Sequence, residues 1–83
     1  MRVVFKLFAS LSDYLPAERR GNRIELDVQP GTTVGDLIAR YQLPEKSAHL
    51  VLVNGHYIAP AGRSEHALQE GDELAIWPPI AGG

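Results

Sequence analysis

The chain has 83 residues, 45% of them hydrophobic and 22% charged, with a formal net charge of -2 and no cysteine. That length holds one domain near the lower limit for unaided folding, and that composition excludes a wholly disordered chain. The missing thiols exclude disulfides, thiolate metal sites and cysteine catalysis, while basic residues spread along the chain, with only Arg19 and Arg20 adjacent, argue against a nucleic-acid binder.

The opening run "MRVVFKLFASL" has the charged start of a secretion signal, but Lys6 interrupts its apolar stretch and no cleavage-type site follows. It reads as a strand, with Val3, Phe5 and Leu7 on one face and Arg2, Val4, Lys6 and Phe8 on the other. With no leader, no cysteine and no apolar run near the roughly 20 residues that cross a bilayer, the expected location is cytoplasmic. In "ASLSDYLPAERRG", Leu11, Tyr14 and Leu15 fall at helical spacing before Pro16, which predicts a short helical turn and a loop. "NRIELDV" alternates cleanly, with Ile24, Leu26 and Val28 inward, and is a second strand with one wet face.

"QPGTTVGDLIARYQLP" carries the main helix, because Val34, Leu37, Ile38 and Tyr41 recur at i, i+3, i+4 and i+7. Thr33 is its expected N-cap, Asp36 suits its positive end, and Pro44 is expected to stop it. "AHLVLVNGHYI" reads as two strands joined at Asn54-Gly55, the pair best able to take the positive φ angles of a tight hairpin. "APAGRS" is then a loop and "EHALQ" a single helical turn, before "ELAIW" forms the last strand with Leu74 and Ile76 inward. Four or five strands and one helix predict an α+β two-layer domain, residues 1–77, whose sheet has one face covered by the helix and one face open. Phe8 and Trp77 have outward parity, and Tyr57 sits on a short strand facing the same way. Together they are a candidate docking surface, since Trp and Tyr are favoured anchors of interfaces.

No catalytic constellation emerges from the residues. His49, His56 and His66 lack metal-ligand spacing, the carboxylates are dispersed, and the glycines fit no phosphate-binding pattern, so neither a bound cofactor or metal nor an independent enzyme is expected. The end of the chain differs. Pro78 and Pro79 have no N–H to give to a ladder and throw residues 78–83 outward as a tail. Six residues at up to about 3.3–3.6 Å each reach roughly 20 Å beyond the fold. Ile80 and Ala81 are small and apolar, and Gly82 and Gly83 have no side chain, so the tail suits a narrow channel and presents a carboxylate. An ionised carboxylate is a poor electrophile and needs activation, for example by transfer to AMP, before sulfur or an amine attacks it. A frayed terminus and a cloning scar are the bland alternatives.

The stretches "FKLFASLSDYL", "GTTVGDLI", "VLVNGHYI" and above all "LQEGDELAIWPPIAGG" resemble one family over nearly the whole chain. It contains the small subunit of molybdopterin synthase and the thiamine-pathway sulfur carrier, which are ubiquitin-like β-grasp proteins. The resemblance implies that an E1-like adenylyltransferase spends ATP with magnesium to adenylate Gly83, and that a sulfur donor protein converts it to a thiocarboxylate. It further implies that the tail, Pro78, Pro79, Ile80, Ala81, Gly82 and Gly83, inserts into a molybdopterin synthase large subunit, with Phe8, Tyr57 and Trp77 as the apolar docking surface. On that reading the chain carries sulfur and is not itself the catalytic subunit. The long segment between the first two strands favours the molybdopterin branch. Departures are Ile76-Trp77, where the pattern often has two phenylalanines, and His56-Tyr57 in the hairpin. Alternatives are a carrier for thiamine, cysteine or tRNA thiolation, and a protein modifier joined to lysine amines.

Overall fold

Alternation in the first strand decides which way the sheet faces. In the computed structural model, which describes residues 1–79, β1 (Arg2–Leu7) buries Val3, Phe5 and Leu7 and leaves the residues between them at least partly accessible. Antiparallel β2 (Arg23–Asp27) sets Leu26 beside Val3 and Ile24 beside Phe5. On the other flank β5 (Glu73–Trp77) runs parallel to β1, with Leu74 beside Phe5 and Ile76 beside Leu7. β3 (Leu50–Val53) and the short β4 (His56–Tyr57) complete a five-stranded sheet in the order β2-β1-β5-β3-β4. Every inward position of β1, β3 and β5 is apolar, and full burial of a side chain the size of Phe5 contributes about 1.5–3 kcal/mol.

One helix, α1 (Val34–Arg40), covers this face. Val34 and Leu37 are fully buried, and Tyr41, just past the helix, rests on Phe5 with ring centroids 5.3 Å apart. Its start is capped completely. Thr33 and Asp36 form a reciprocal capping box, with the Asp36 N–H donating to Thr33 Oγ1 at 3.0 Å and the Thr33 N–H donating to Asp36 Oδ2 at 2.9 Å. The two remaining N–H groups, of Val34 and Gly35, donate to the carbonyls of His66 and Arg63. A Cβ on Gly35 would lie 3.1 Å from the Ser64 Cα, so any side chain there would press on the backbone of this loop.

That capping explains one departure from the sequence reading. "EHALQ" is not helical, because His66 gives its carbonyl to the helix start, Ala67 bridges Thr33, and the Leu68 N–H donates to Thr32 at 2.8 Å. The helical turn lies earlier, at Pro60–Gly62, where a loop was expected. Between β1 and β2 the expected turn is a 3-10 helix, Ala9–Tyr14, that buries Leu11. Nor does Pro44 stop α1. The chain leaves the helix at Gln42, in left-handed backbone at φ 58°, with the Gln42 N–H bonded to Ala39 and the Leu43 N–H to Ile38, both at 3.0 Å. This is a Schellman closure, a position that favours glycine.

Asn54 and Gly55 turn β3 into β4 at φ 51° and 83°, the conformation their pairing predicts. The Asn54 side chain also donates to Asp72 Oδ1 and accepts from the Glu73 N–H, which fixes the hairpin to the start of β5. Arg63 is the one buried charged residue among the described residues. Its guanidinium donates to the carbonyls of Ile58, Ala48 and His49, joining the long loop before β5 to the entry of β3. The N-terminal ammonium is held by the Val28 carbonyl at 2.9 Å and faces Asp27. No helix among the described residues is long and apolar enough to cross a membrane.

Gln42→Gly removes the Cβ penalty of left-handed backbone and is expected to stabilise the fold by about 1 kcal/mol, a rise in melting temperature of roughly 4–8 °C. Thermal unfolding by circular dichroism measures it; an unchanged or lower midpoint contradicts the strain at this closure.

Candidate functional site

The parity that buries Leu74 and Ile76 sends Glu73, Ala75 and Trp77 to the opposite face of the sheet. There the register sets Leu50 beside Trp77, Leu52 beside Ala75, and Tyr57 beside Leu52. Phe8, one residue beyond β1, completes the set, and its ring stacks on Trp77 at a centroid distance of 4.1 Å and an interplanar angle of 6°. Backbone bonds hold the pair from both sides, since the Phe8 N–H donates to Ile76 and the His49 N–H to the Trp77 carbonyl, each at 3.1 Å. The tryptophan is thereby fixed where β5 ends and Pro78 begins.

Phe8 and Trp77 are half-buried by each other, whereas Leu50 and Tyr57 are 38% and 57% exposed. Ala75, small and buried, leaves a shelf between them. The result is an apolar strip running across β1, β5, β3 and β4. Charge borders it on β1, where Lys6, set beside Ala75 by the register, meets Glu73 Oε1 through its Nζ at 3.2 Å. The strip has the aromatic centre and sparse charge of a protein interface.

Phe8, Tyr57 and Trp77, the three aromatics singled out from the sequence, are therefore on one face. Leu50 and Leu52 share it and were not assigned from sequence. Their signal was present in "LVLV", whose outward parity is fixed once Asn54-Gly55 sets the hairpin register. Pro78 and Pro79 have left the strand. Ile80, Ala81, Gly82 and Gly83 lie outside the described residues. Among those residues no three His, Asp or Glu side chains come together as metal ligands, and the four N–H groups that open α1 all have partners, so its start offers no anion site.

A family model for ThiS matches residues 6–83. The chain belongs to the ThiS family. This is a family of sulfur carriers and ubiquitin-like modifiers. The crystal structure of SAMP1 from Haloferax volcanii is similar to the chain at 30% identity and a TM-score of 0.68, covering 100% of both. Two further structures share the β-grasp fold. Putative molybdopterin converting factor subunit 1 from Pyrococcus furiosus is 22% identical with a TM-score of 0.68, over 95% of this chain and 98% of that one. A complex of subunits 1 and 2 of the molybdopterin-converting factor from Helicobacter pylori contains a chain 20% identical with a TM-score of 0.60, covering 100% of both.

Because Trp77 is the single tryptophan, its emission reports on the strip directly. Phe8→Ala removes the stacked ring, so the emission maximum is expected to move to the red and stability to fall by about 0.5–1.5 kcal/mol beyond the lost burial. Steady-state fluorescence and urea unfolding test both; an unshifted emission means that the stack does not shield Trp77.

Proposed function

We propose that this chain is a sulfur carrier acting as the small subunit of a molybdopterin synthase. The Gly83 carboxylate attacks the α-phosphorus of ATP on an E1-like enzyme, which supplies the magnesium ion, and pyrophosphate leaves. Sulfur delivered by a donor protein at the sulfide level then attacks the carbonyl and displaces AMP, which leaves a thiocarboxylate. Gly82 and Gly83 leave that carbonyl unhindered, and residues 78–83 act as the arm that carries it into the large subunit.

The observation that supports this most is the position of the apolar strip. The Phe8–Trp77 stack stands at the root of the arm, so a partner that grips the strip receives the arm at a defined point. The Helicobacter pylori assembly of subunits 1 and 2 supports a large subunit as that partner. A second reading has its own support: the 30% identity to SAMP1 over both full chains, together with a related structure described as small archaeal modifier protein 1, favours a modifier whose Gly83 ends on lysine amines. The two readings share activation and differ in the nucleophile. Carriage of sulfur toward thiamine, cysteine or tRNA thiolation differs only in the acceptor.

Intact mass of the full chain, produced with its E1-like enzyme and a sulfur source, is expected to show a species heavier by the difference between sulfur and oxygen. Persistent carboxylate alone argues against a carrier, and amide adducts to other proteins select the modifier. Trp77→Ala is expected to weaken association with the large subunit by about 2 kcal/mol or more, measured by titration calorimetry; equal affinity removes the strip from the interface.

A further inference from the structure

Arg63 is buried, yet no carboxylate pairs with it among the described residues. Its guanidinium donates instead to main-chain carbonyls, from Nη1 to Ala48 at 2.7 Å, from Nη2 to His49 at 3.3 Å and from Nε to Ile58 at 3.2 Å. The shortest of these bonds continues further. The Ala48 carbonyl and the His49 N–H belong to one peptide group, and that N–H donates to the Trp77 carbonyl at 3.1 Å. The Trp77 carbonyl belongs in turn to the amide that opens the arm at Pro78.

A peptide group is planar, so a donor that fixes the Ala48 oxygen also fixes the direction of the His49 N–H. Here the donor is charged and buried, which strengthens its bond and polarises the peptide it grips, making the His49 N–H a better donor to Trp77. That anchor matters because Pro78 and Pro79 have no N–H with which to hold the arm to the fold. Trp77 is held at two points, its ring by Phe8 and its carbonyl by His49, and together they set the direction in which the Trp77–Pro78 bond leaves the sheet. The base of this relay is itself fixed, since the Arg63 carbonyl accepts from the Gly35 N–H at 2.8 Å at the start of α1.

We propose that Arg63 is a positioning residue for delivery of the Gly83 carboxylate. Acting through the Ala48–His49 peptide, it sets the exit direction of residues 78–83, so that a partner gripping the apolar strip receives the terminus aligned with its reaction centre. This role rests on the reading that Gly83 is activated, a step that carrier and modifier share. Grip and delivery are thereby separate: the strip supplies the first and Arg63 the second.

The test uses the full chain labelled with nitrogen-15 and carbon-13, in which a scalar coupling across the hydrogen bond joins the His49 nitrogen to the Trp77 carbonyl carbon. The coupling is expected in the wild-type chain, and its absence there overturns the proposal without any variant. Arg63→Lys keeps a positive charge but replaces the fork of donors by one ammonium group. It is expected to weaken the coupling and move the His49 amide proton upfield, while the Asn54 N–H to Glu73 carbonyl bond, at the other end of the same strand pair, keeps its own coupling. With the E1-like enzyme and ATP, the variant's maximal rate of Gly83 adenylation is expected to fall about tenfold or more with KM within about twofold, because the strip still binds and only the arm is misplaced. An unchanged maximal rate overturns the proposal, as does loss of both couplings together, which makes Arg63 a residue of general stability. If the wild-type chain is itself not adenylated, the sulfur-carrier reading fails, and a His49–Trp77 coupling that survives in Arg63→Lys overturns the role of Arg63 independently.

Discussion

Parallel pairing of β1 with β5 is the constraint on which the molecule rests. It joins the first strand to the last, Val4 to Glu73 and Leu7 to Ile76, and makes β5 a central strand with neighbours on both sides. Leu74, Ala75 and Ile76 are consequently all buried, although they alternate between faces. The same register places Phe8 level with Trp77 and makes their stack possible. A segment beginning at Pro78 is thus rooted in the most enclosed strand, and a partner's pull on it is resisted by two ladders of backbone bonds.

The inner and outer faces solve different problems. Inside, apolar contact with α1 is backed by a loop whose carbonyls close the helix start and by Arg63, whose guanidinium satisfies three carbonyls that would otherwise lack donors. Outside, the sheet keeps apolar side chains accessible without burying them within the domain. Exposing Leu50 and Tyr57 gives up stability that polar residues would not lose, which makes sense for a surface that another protein covers.

Strands with strict alternation were legible in the sequence, as were the Asn54-Gly55 hairpin, the Thr33 cap and the outward placing of Phe8 and Trp77. Periodicity did not reveal groups whose structure is decided by distant backbone. "EHALQ" has the composition of a turn, yet the helix start claims its carbonyl and the bridge to Thr33 holds it extended. Gln42 ends α1 by a left-handed turn that glutamine does not announce. Arg63 looks like any loop arginine until three carbonyls converge on it. Leu50 and Leu52 were readable in principle, because "LVLV" has two faces and only the inner one is needed for the core.

The Lys6–Glu73 pair has a chemical consequence beyond its small electrostatic worth. The sequence contains only two lysines, Lys6 and Lys46, and no thiol. One of those amines is engaged by a carboxylate, and the N-terminal ammonium is likewise held by Val28 and Asp27. An acyl group activated on this chain, as the sulfur-carrier reading requires, therefore meets few competent nucleophiles in its own carrier. Such a surface is chemically quiet toward its cargo, and the choice of acceptor passes to whichever protein grips it.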